Sequence, residues 1–286
     1  MTTDAPITGR LEAAALQLDE ELVRRILEAF IREEVRKAGF DRIVLGLSGG
    51  IDSAVVAALA VGALGADSVS AVAMPYRTSA PESLEDARTV AESLGISLQV
   101  QSITPMADAF LAAAGPEPSS LRRGNLMARC RMIVLYDRSA AEQALVLGTS
   151  NKTELLLGYG TLHGDMASAL NPVGDLYKTQ IRQMALALSL PQQVVRKPPS
   201  ADLVPGQTDE GDLGNTYADL DLLLHALIDE RRTVEELLAL GVDPDFLARV
   251  GRRVRTMQFK RRPPVIAKLA SRTVDKDFHH LRDWGT

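Results

Sequence analysis

Val44-Leu45-Gly46-Leu47-Ser48-Gly49-Gly50-Ile51-Asp52-Ser53-Ala54 decides how the rest of this chain is read. An apolar, β-branched run from Ile43 to Leu47 stops at Ser48-Gly49-Gly50, and an alanine-rich, helix-forming stretch follows. The pattern predicts a strand, a tight glycine turn and a helix. Such a turn bares consecutive backbone N–H groups at a helix N-terminus, where the partial positive charge favours a phosphate. The glycines permit positive φ and let an anion reach the backbone with no Cβ in the way. The plainer alternative is a glycine turn in which Ser48 or Ser53 bonds the helix start.

Upstream, residues 11–38 place Leu18, Leu22, Val23, Ile26, Phe30 and Ile31 on one helical stripe, ended by Gly39. That stripe is either a dimer element or a face packed on the chain's own sheet. Downstream, strands are expected over 68–74, 97–103 and 144–148, alternating with helices over 52–64, 81–94 and 123–142. The alternation predicts an α/β fold with a doubly wound parallel sheet, whose ligands sit beyond the carboxyl ends of the strands. After Lys178 the strand signal fades. Helices over 177–188, 217–228, 234–240 and 243–256 predict a helical annex, and Gly115, Pro116 and Pro118 mark a connector over 114–120. The expected organisation is a single domain: an N-terminal helix (1–40), a nucleotide-binding α/β core (41–190) and a helical C-terminal region (191–286).

Composition sets outer limits. The 286 residues are 46% hydrophobic and 24% charged, ample for a core and ordinary for a globular protein. A net charge of −5 gives no general attraction to nucleic acid or to an acidic membrane. One cysteine, Cys130, excludes an internal disulfide and a cysteine zinc cluster. No apolar run reaches spanning length and the acidic N-terminus is no signal peptide, so a cytoplasmic protein is expected. The histidines (His163, His225, His279, His280) form no spaced ligand set.

Further chemistry clusters where the fourth strand ends. Gly148-Thr149-Ser150-Asn151-Lys152-Thr153-Glu154 gathers hydroxyl, amide and carboxylate groups suited to a nucleotide phosphate and its metal ion. Asp52 and Glu154 together could hold Mg²⁺, which keeps several waters and needs only one or two protein carboxylates. The same residues also read as a helix start, with Thr149 or Ser150 as cap and Glu154 in the first turn. A glycine-rich stretch, Gly158-Tyr159-Gly160-Thr161-Leu162-His163-Gly164-Asp165, comes next. Lys178 then opens a helix, where a cation opposes the dipole; a phosphate partner rationalises that cost, and a solvated lysine is the alternative.

The glycine turn lacks the Gly-Lys-Ser/Thr ending of kinase-type phosphate loops and the spacing of the dinucleotide fingerprint. Ser48-Gly49-Gly50-Ile51-Asp52-Ser53 resembles the pyrophosphate loop of the N-type ATP pyrophosphatases. Further motifs follow in order: Gly124-Asn125-Leu126-Met127-Ala128-Arg129-Cys130-Arg131-Met132, Gly148 to Glu154, Leu176-Tyr177-Lys178-Thr179, Pro199-Ser200-Ala201-Asp202-Leu203, Gln207-Thr208-Asp209-Glu210 and Phe259-Lys260-Arg261-Arg262-Pro263. Together, over nearly the whole chain, they resemble the NAD⁺ synthetase family. That resemblance implies conversion of deamido-NAD⁺, ATP and ammonia into NAD⁺, AMP and pyrophosphate through an adenylated nicotinate. It implies ATP binding by Gly46, Leu47, Ser48, Gly49, Gly50, Ile51, Asp52, Ser53, Thr149, Lys178 and Ser200. It further implies magnesium at Asp52 and Glu154, deamido-NAD⁺ contacts from Arg129, Phe259 and Lys260, and catalytic roles for Lys178 and for Asp165 beside the ammonia site. A homodimer is implied as well.

The chain departs from many ammonia-using members at Leu162 and Ala169, where those carry a lysine and an aspartate that contact substrate. Thr161-Leu162-His163-Gly164-Asp165-Met166 looks instead like the synthetase half of glutamine-dependent members, as does Met74-Pro75-Tyr76-Arg77. Since the synthetase motifs begin by residue 46 and no glutaminase signature surrounds Cys130, ammonia is the expected nitrogen donor, with a separate glutaminase partner as the variant. The competing readings are another N-type ATP pyrophosphatase acting on a different acid or base, and a non-catalytic adenine-nucleotide sensor. The sensor predicts loss of Asp52, Glu154 or Lys178; all three are present.

Overall fold

The computed structural model describes residues 7–115, 118–200, 208–262 and 264–273. Pro116, Ala201, Asp202, Leu203, Gln207, Pro263, His279 and His280 from the motifs and residues above lie outside this set. After a short 3₁₀ turn, Ala13–Leu16, the chain runs α1 (Glu20–Lys37), β1 (Ile43–Gly46), α2 (Ile51–Leu64), β2 (Val69–Ala73), α3 (Pro81–Leu94), β3 (Ser97–Val100), α4 (Thr104–Ala113), α5 (Ser120–Glu142) and β4 (Leu145–Val146). Then follow α6 (Lys152–Leu157), α7 (Lys178–Ala187), α8 (Gln192–Arg196), α9 (Asp209–Leu213), α10 (Tyr217–Leu224), α11 (Val234–Ala239) and α12 (Pro244–Thr256).

The strands form one parallel sheet in the order β3-β2-β1-β4. Successive side chains of β1 point to opposite faces: Ile43 and Leu45 join a core beneath α1, α2, α3 and α7, while Val44 joins a second core with Met127, Cys130 and Val134 of α5. A strand buried on both faces reads as an unbroken apolar run, which is why residues 43–47 stand out. The chain builds β2 and β3 on one side of β1 and then returns to place β4 on the other. The carboxyl ends of β1 and β4 therefore flank the topological switch point, where open α/β sheets form their ligand crevice.

Several sequence-based boundaries shift. The helical stripe over 11–38 breaks at Gln17, leaving the 3₁₀ turn ahead of α1, whose start is capped by Asp19 accepting the Leu22 N–H. Leu18, Val23, Phe30 and Ile31 of that stripe pack on the main core, while Leu22 and Ile26 stay exposed at 47% and 55%. The third strand ends at Val100 rather than at 103, and α4 fills the stretch between that strand and the 114–120 connector, to which the sequence reading gives no element. Pro105, allowed in the first helical turn, helps start it there. The fourth strand has two residues, prolonged by Leu147 bridging to Leu170. After β4 the C-terminal helices form their own core around Tyr217, Leu223, Leu224, Leu237 and Phe246, with Leu16 of the N-terminal turn packed into it. Among the described residues no helix is long and apolar enough to cross a membrane.

Candidate active site

The β1–α2 turn is drawn tight on itself. Ser48 Oγ accepts the Gly50 N–H at 3.2 Å, and Ser53 Oγ donates to the Gly50 carbonyl at 3.0 Å and accepts the Ser48 N–H at 3.3 Å. Gly49 adopts φ +78°, and a Cβ there would run into the Ser83 carbonyl of α3. Only glycine meets both demands. Gly46 closes β1, Leu47 extends its ladder by donating to the Val72 carbonyl at 3.0 Å, and Ile51 and Ser53 are buried at the start of α2. The two serines thus brace the turn as the plainer reading expected, and this bracing presents the start of α2 toward the crevice.

Asp52, in the first turn of α2, reaches across the crevice. Its Oδ1 accepts from Asn151 Nδ2 at 2.9 Å, and its Oδ2 lies 2.5 Å from Lys178 Nζ. Glu154 Oε1 lies 3.3 Å from the same ammonium. The cap of α6 is Asn151, not Thr149 or Ser150: its side chain accepts the Glu154 N–H at 3.0 Å while Glu154 Oε2 accepts the Asn151 N–H at 3.3 Å. The amide does both jobs from separate atoms: Oδ1 takes the third backbone N–H while the NH₂ reaches on to Asp52. Glu154 therefore caps its own helix and faces Lys178 at once. Thr149 is half-buried between the β4 end and this cap.

Lys178 opens α7 and is only 2% exposed, which rules out the solvated alternative. Its positive charge at a helix N-terminus is met by carboxylates rather than left against the dipole. Burial works against that charge, but Asp52 and Glu154 outweigh it and hold the ammonium above the usual lysine range. Asp209 of α9 faces the same cluster; it accepts from Tyr159 Oη at 3.0 Å and Tyr217 Oη at 3.1 Å, and burial pushes its carboxyl up. Three carboxylates thus share one ammonium. Burial, opposed by Lys178 and reinforced by Asp52, pushes Glu154 up to about 8. A divalent cation fits the donor type: Asp52 and Glu154 present hard carboxylate oxygens to a single cation, here the Lys178 ammonium, and Mg²⁺ needs only one or two protein carboxylates.

A second group surrounds the turn after α6. Lys260 donates to the Gly158 carbonyl at 2.8 Å and the Gly160 carbonyl at 2.7 Å, and Arg129 donates to the Leu162 carbonyl at 3.2 Å. Asp165 lies on an exposed turn, yet its carboxyl folds back so that Oδ1 accepts the Thr161 N–H at 2.8 Å. Desolvation there raises its pKa against the pull of that bond and of Lys260. Phe259 is 59% exposed beside this turn-anchoring lysine. Ser200 is exposed at the last described residue before 201–207. The candidate residues thus fall into a buried charge cluster (Asp52, Glu154, Lys178) and a rim (Arg129, Asp165, Phe259, Lys260), joined by Tyr159 reaching from the rim turn to Asp209. Sequence reasoning assigned no role to Asp209 or Tyr159; the Gln207-Thr208-Asp209-Glu210 motif was the only signal available for the aspartate.

A parallel α/β sheet with a serine-glycine turn and a charged cluster at its switch point defines a nucleotide-binding protein of the adenine nucleotide alpha-hydrolase-like architecture. The family model described as NAD synthase matches residues 23–264. An "NH(3)-dependent NAD(+) synthetase" from Trichlorobacter lovleyi is 54% identical over 94% of this chain and 98% of its own length. Among solved structures, an NH3-dependent NAD synthetase from Campylobacter jejuni superposes with a TM-score of 0.75 at 36% identity, covering 88% of this chain and 100% of that one. An NMN synthetase from Francisella tularensis superposes with a TM-score of 0.77 at 29% identity, covering 88% and 99%. The chain belongs to the NAD synthase family.

Proposed function

We propose that this protein amidates deamido-NAD⁺ with ammonia at the expense of ATP, releasing NAD⁺, AMP and pyrophosphate. The observation that carries the reading is the meeting of Lys178 with Asp52 and Glu154 at the switch point, on a chain of this family. A nicotinate carboxylate is a poor electrophile because its charge is delocalised and its leaving group is an oxide. Attack of that carboxylate on the α-phosphorus gives a mixed anhydride and pyrophosphate. Ammonia then adds to the acyl carbon, the acyl carbon–oxygen bond breaks so that AMP leaves carrying that oxygen, and the nitrogen gives up one proton to form the amide.

The protein's part in this is to position groups and neutralise charge. Residues Gly46 to Ser53 line the site of the β- and γ-phosphates at the α2 start, with Ser48, Gly49, Gly50 and Ser53 nearest; the Leu47, Ser48 and Gly50 N–H groups are bonded within the sheet and the turn, so the helix start supplies the remaining attraction. Lys178 opposes the negative charge that builds on the departing pyrophosphate. Thr149 and Ser200 contribute further ATP contacts. Arg129 and Phe259 serve deamido-NAD⁺ at the rim, and Lys260 serves it chiefly by shaping the turn at Gly158 and Gly160. Asp165, with its raised pKa, takes a proton from ammonium. Asp52 and Glu154 would hold Mg²⁺, which when bound supplies positive charge to the phosphate oxygens.

The same reading includes a homodimer in the cytoplasm, and a single domain divided at about residues 40 and 190. Purified protein should form NAD⁺ from deamido-NAD⁺, ATP and ammonium, with none from glutamine. Equal rates from glutamine would contradict the assigned nitrogen donor. ATP binding without turnover under either donor would favour the sensor.

A further inference from the structure

Asp221 stands on α10, outside the residues given roles above, and is fully buried. Its two oxygens serve the starts of two other helices. Oδ1 accepts from Thr153 Oγ1 at 2.5 Å, in the first turn of α6; Oδ2 accepts the Thr179 N–H at 2.8 Å, in the first turn of α7. Thr153 Oγ1 in turn accepts the Lys178 N–H at 3.0 Å. The first amides of a helix have no intrahelical acceptor. At α7 two of them are met by side chains borrowed from α6 and α10.

This places one hydrogen-bonded figure directly behind the charge cluster. Thr153 immediately precedes Glu154, and Thr179 immediately follows Lys178. A carboxylate at a helix N-terminus is also favoured by the dipole that disfavours the Lys178 charge. Fixing these backbone points fixes where Glu154 and Lys178 begin, and so where their charged ends meet Asp52.

We infer that Asp221 is a positioning residue which, through Thr153 and the Lys178 and Thr179 amides, holds the Lys178 ammonium in register with Asp52 and Glu154. It touches no reacting atom. The inference rests on the proposed role of Lys178 against pyrophosphate.

The test uses the full chain with Thr153→Val, Thr153→Ser and Asp221→Asn. Valine keeps the shape of threonine and loses the hydroxyl; serine keeps the hydroxyl. Because misplacement by about 1 Å can cost about a hundredfold, Thr153→Val and Asp221→Asn should each lower kcat by about ten- to a hundredfold. KM for deamido-NAD⁺ should stay within about twofold, a split expected when only a transition-state interaction is lost. Thr153→Ser should lie within about threefold of the starting kcat, and Thr153→Val should weaken binding of magnesium pyrophosphate, read by calorimetry, about tenfold.

If kcat stays within about twofold in both altered proteins while only the melting temperature falls, Asp221 is a structural group and the inference is overturned. Equal losses with serine and valine overturn it too, since the hydroxyl would then be irrelevant. Where Asp221→Asn fails to fold, the valine and serine pair decides. An unaltered protein that binds magnesium pyrophosphate but makes no NAD⁺ sinks the proposed reaction; the binding ratio for Thr153→Val then decides the inference by itself. Absence of both pyrophosphate binding and NAD⁺ formation overturns both; where NAD⁺ forms without measurable pyrophosphate binding, the kcat comparison of the valine and serine variants decides the inference.

Discussion

Lys178 Nζ lies 2.5 Å from Asp52 Oδ2, joining the first turn of α7 to the first turn of α2 across 126 positions of sequence. This contact closes the switch-point crevice from behind. It also makes the site's electrostatics one unit, because Glu154 and Asp209 face the same ammonium. Binding of an ATP phosphate would therefore redistribute a charge already shared among carboxylates, and a divalent cation would take over part of what Lys178 now neutralises.

Removing the ammonium should damage both folding and chemistry. Lys178→Met leaves Asp52 and Glu154 partly buried without their cation. Loss of one partner from a buried pair costs about 3–5 kcal/mol, so the melting temperature should drop clearly. The rate of NAD⁺ formation should fall by at least about a hundredfold, the scale of losing one preorganised charge-stabilising group. A protein of unchanged stability and near-normal kcat would contradict the arrangement described.

The glycine turn should tolerate no side chain at position 49. Gly49→Ala meets both a positive φ and the Ser83 carbonyl. A strained backbone alone costs about 1–3 kcal/mol, and relief of the clash must push α3 away from the turn. Denaturant melts should show lower stability, and ATP affinity should fall at least about tenfold, a loss of ~1.4 kcal/mol. Alanine at Gly39, where the same backbone region is used with open space around it, should leave ATP affinity unchanged.

Burial lifts the Asp221 carboxyl to about 6, against the pull of its bonds from Thr153 and Thr179. The unfolded value lies near 3.9, so the folded chain binds this proton more tightly. The resulting stabilisation is complete below about pH 4 and is lost as pH rises through about 6. The stability difference between the unaltered protein and Asp221→Asn should therefore shrink by about 2–3 kcal/mol from pH 4 to pH 7. Urea melts across that range test it, and a difference that grows with pH would contradict the assignment.

At the rim, Lys260 holds the carbonyls of Gly158 and Gly160. Lys260→Ala should release the turn that carries Asp165 and raise KM for deamido-NAD⁺ about tenfold or more, since hydrogen bonds to a charged donor contribute about 1.5–3 kcal/mol. Amide hydrogen exchange at residues 158–165 should speed up in parallel. Unchanged exchange with unchanged KM would remove Lys260 from the site.

Much of this architecture was legible because its signals are local. A doubly buried strand, a Ser-Gly-Gly turn and an alanine-rich helix each declare themselves within a few residues, so β1, the turn and α2 could be read directly. The α4 helix escapes the sequence reading because the strand assignment runs on to Ile103, next to the helix start at Thr104. The cap at Asn151 was misplaced by one or two positions because Thr149, Ser150 and Asn151 are all competent caps, and only the reach to Asp52 selects the amide. Asp209, Tyr159 and Asp221 belong to a different category. Their roles arise from contacts such as Tyr159 to Asp209, Thr153 to Asp221 and Thr179 to Asp221, between residues 42 to 68 positions apart, which the Gln207-Thr208-Asp209-Glu210 motif does not reveal.

The most direct test of the account follows the phosphates during turnover. ATP labelled at its α- and γ-phosphates, supplied with deamido-NAD⁺ and ammonium, should yield AMP and pyrophosphate in equal amounts with the NAD⁺ formed, and neither product when deamido-NAD⁺ is left out. Appearance of ADP and orthophosphate in step with NAD⁺ would contradict it.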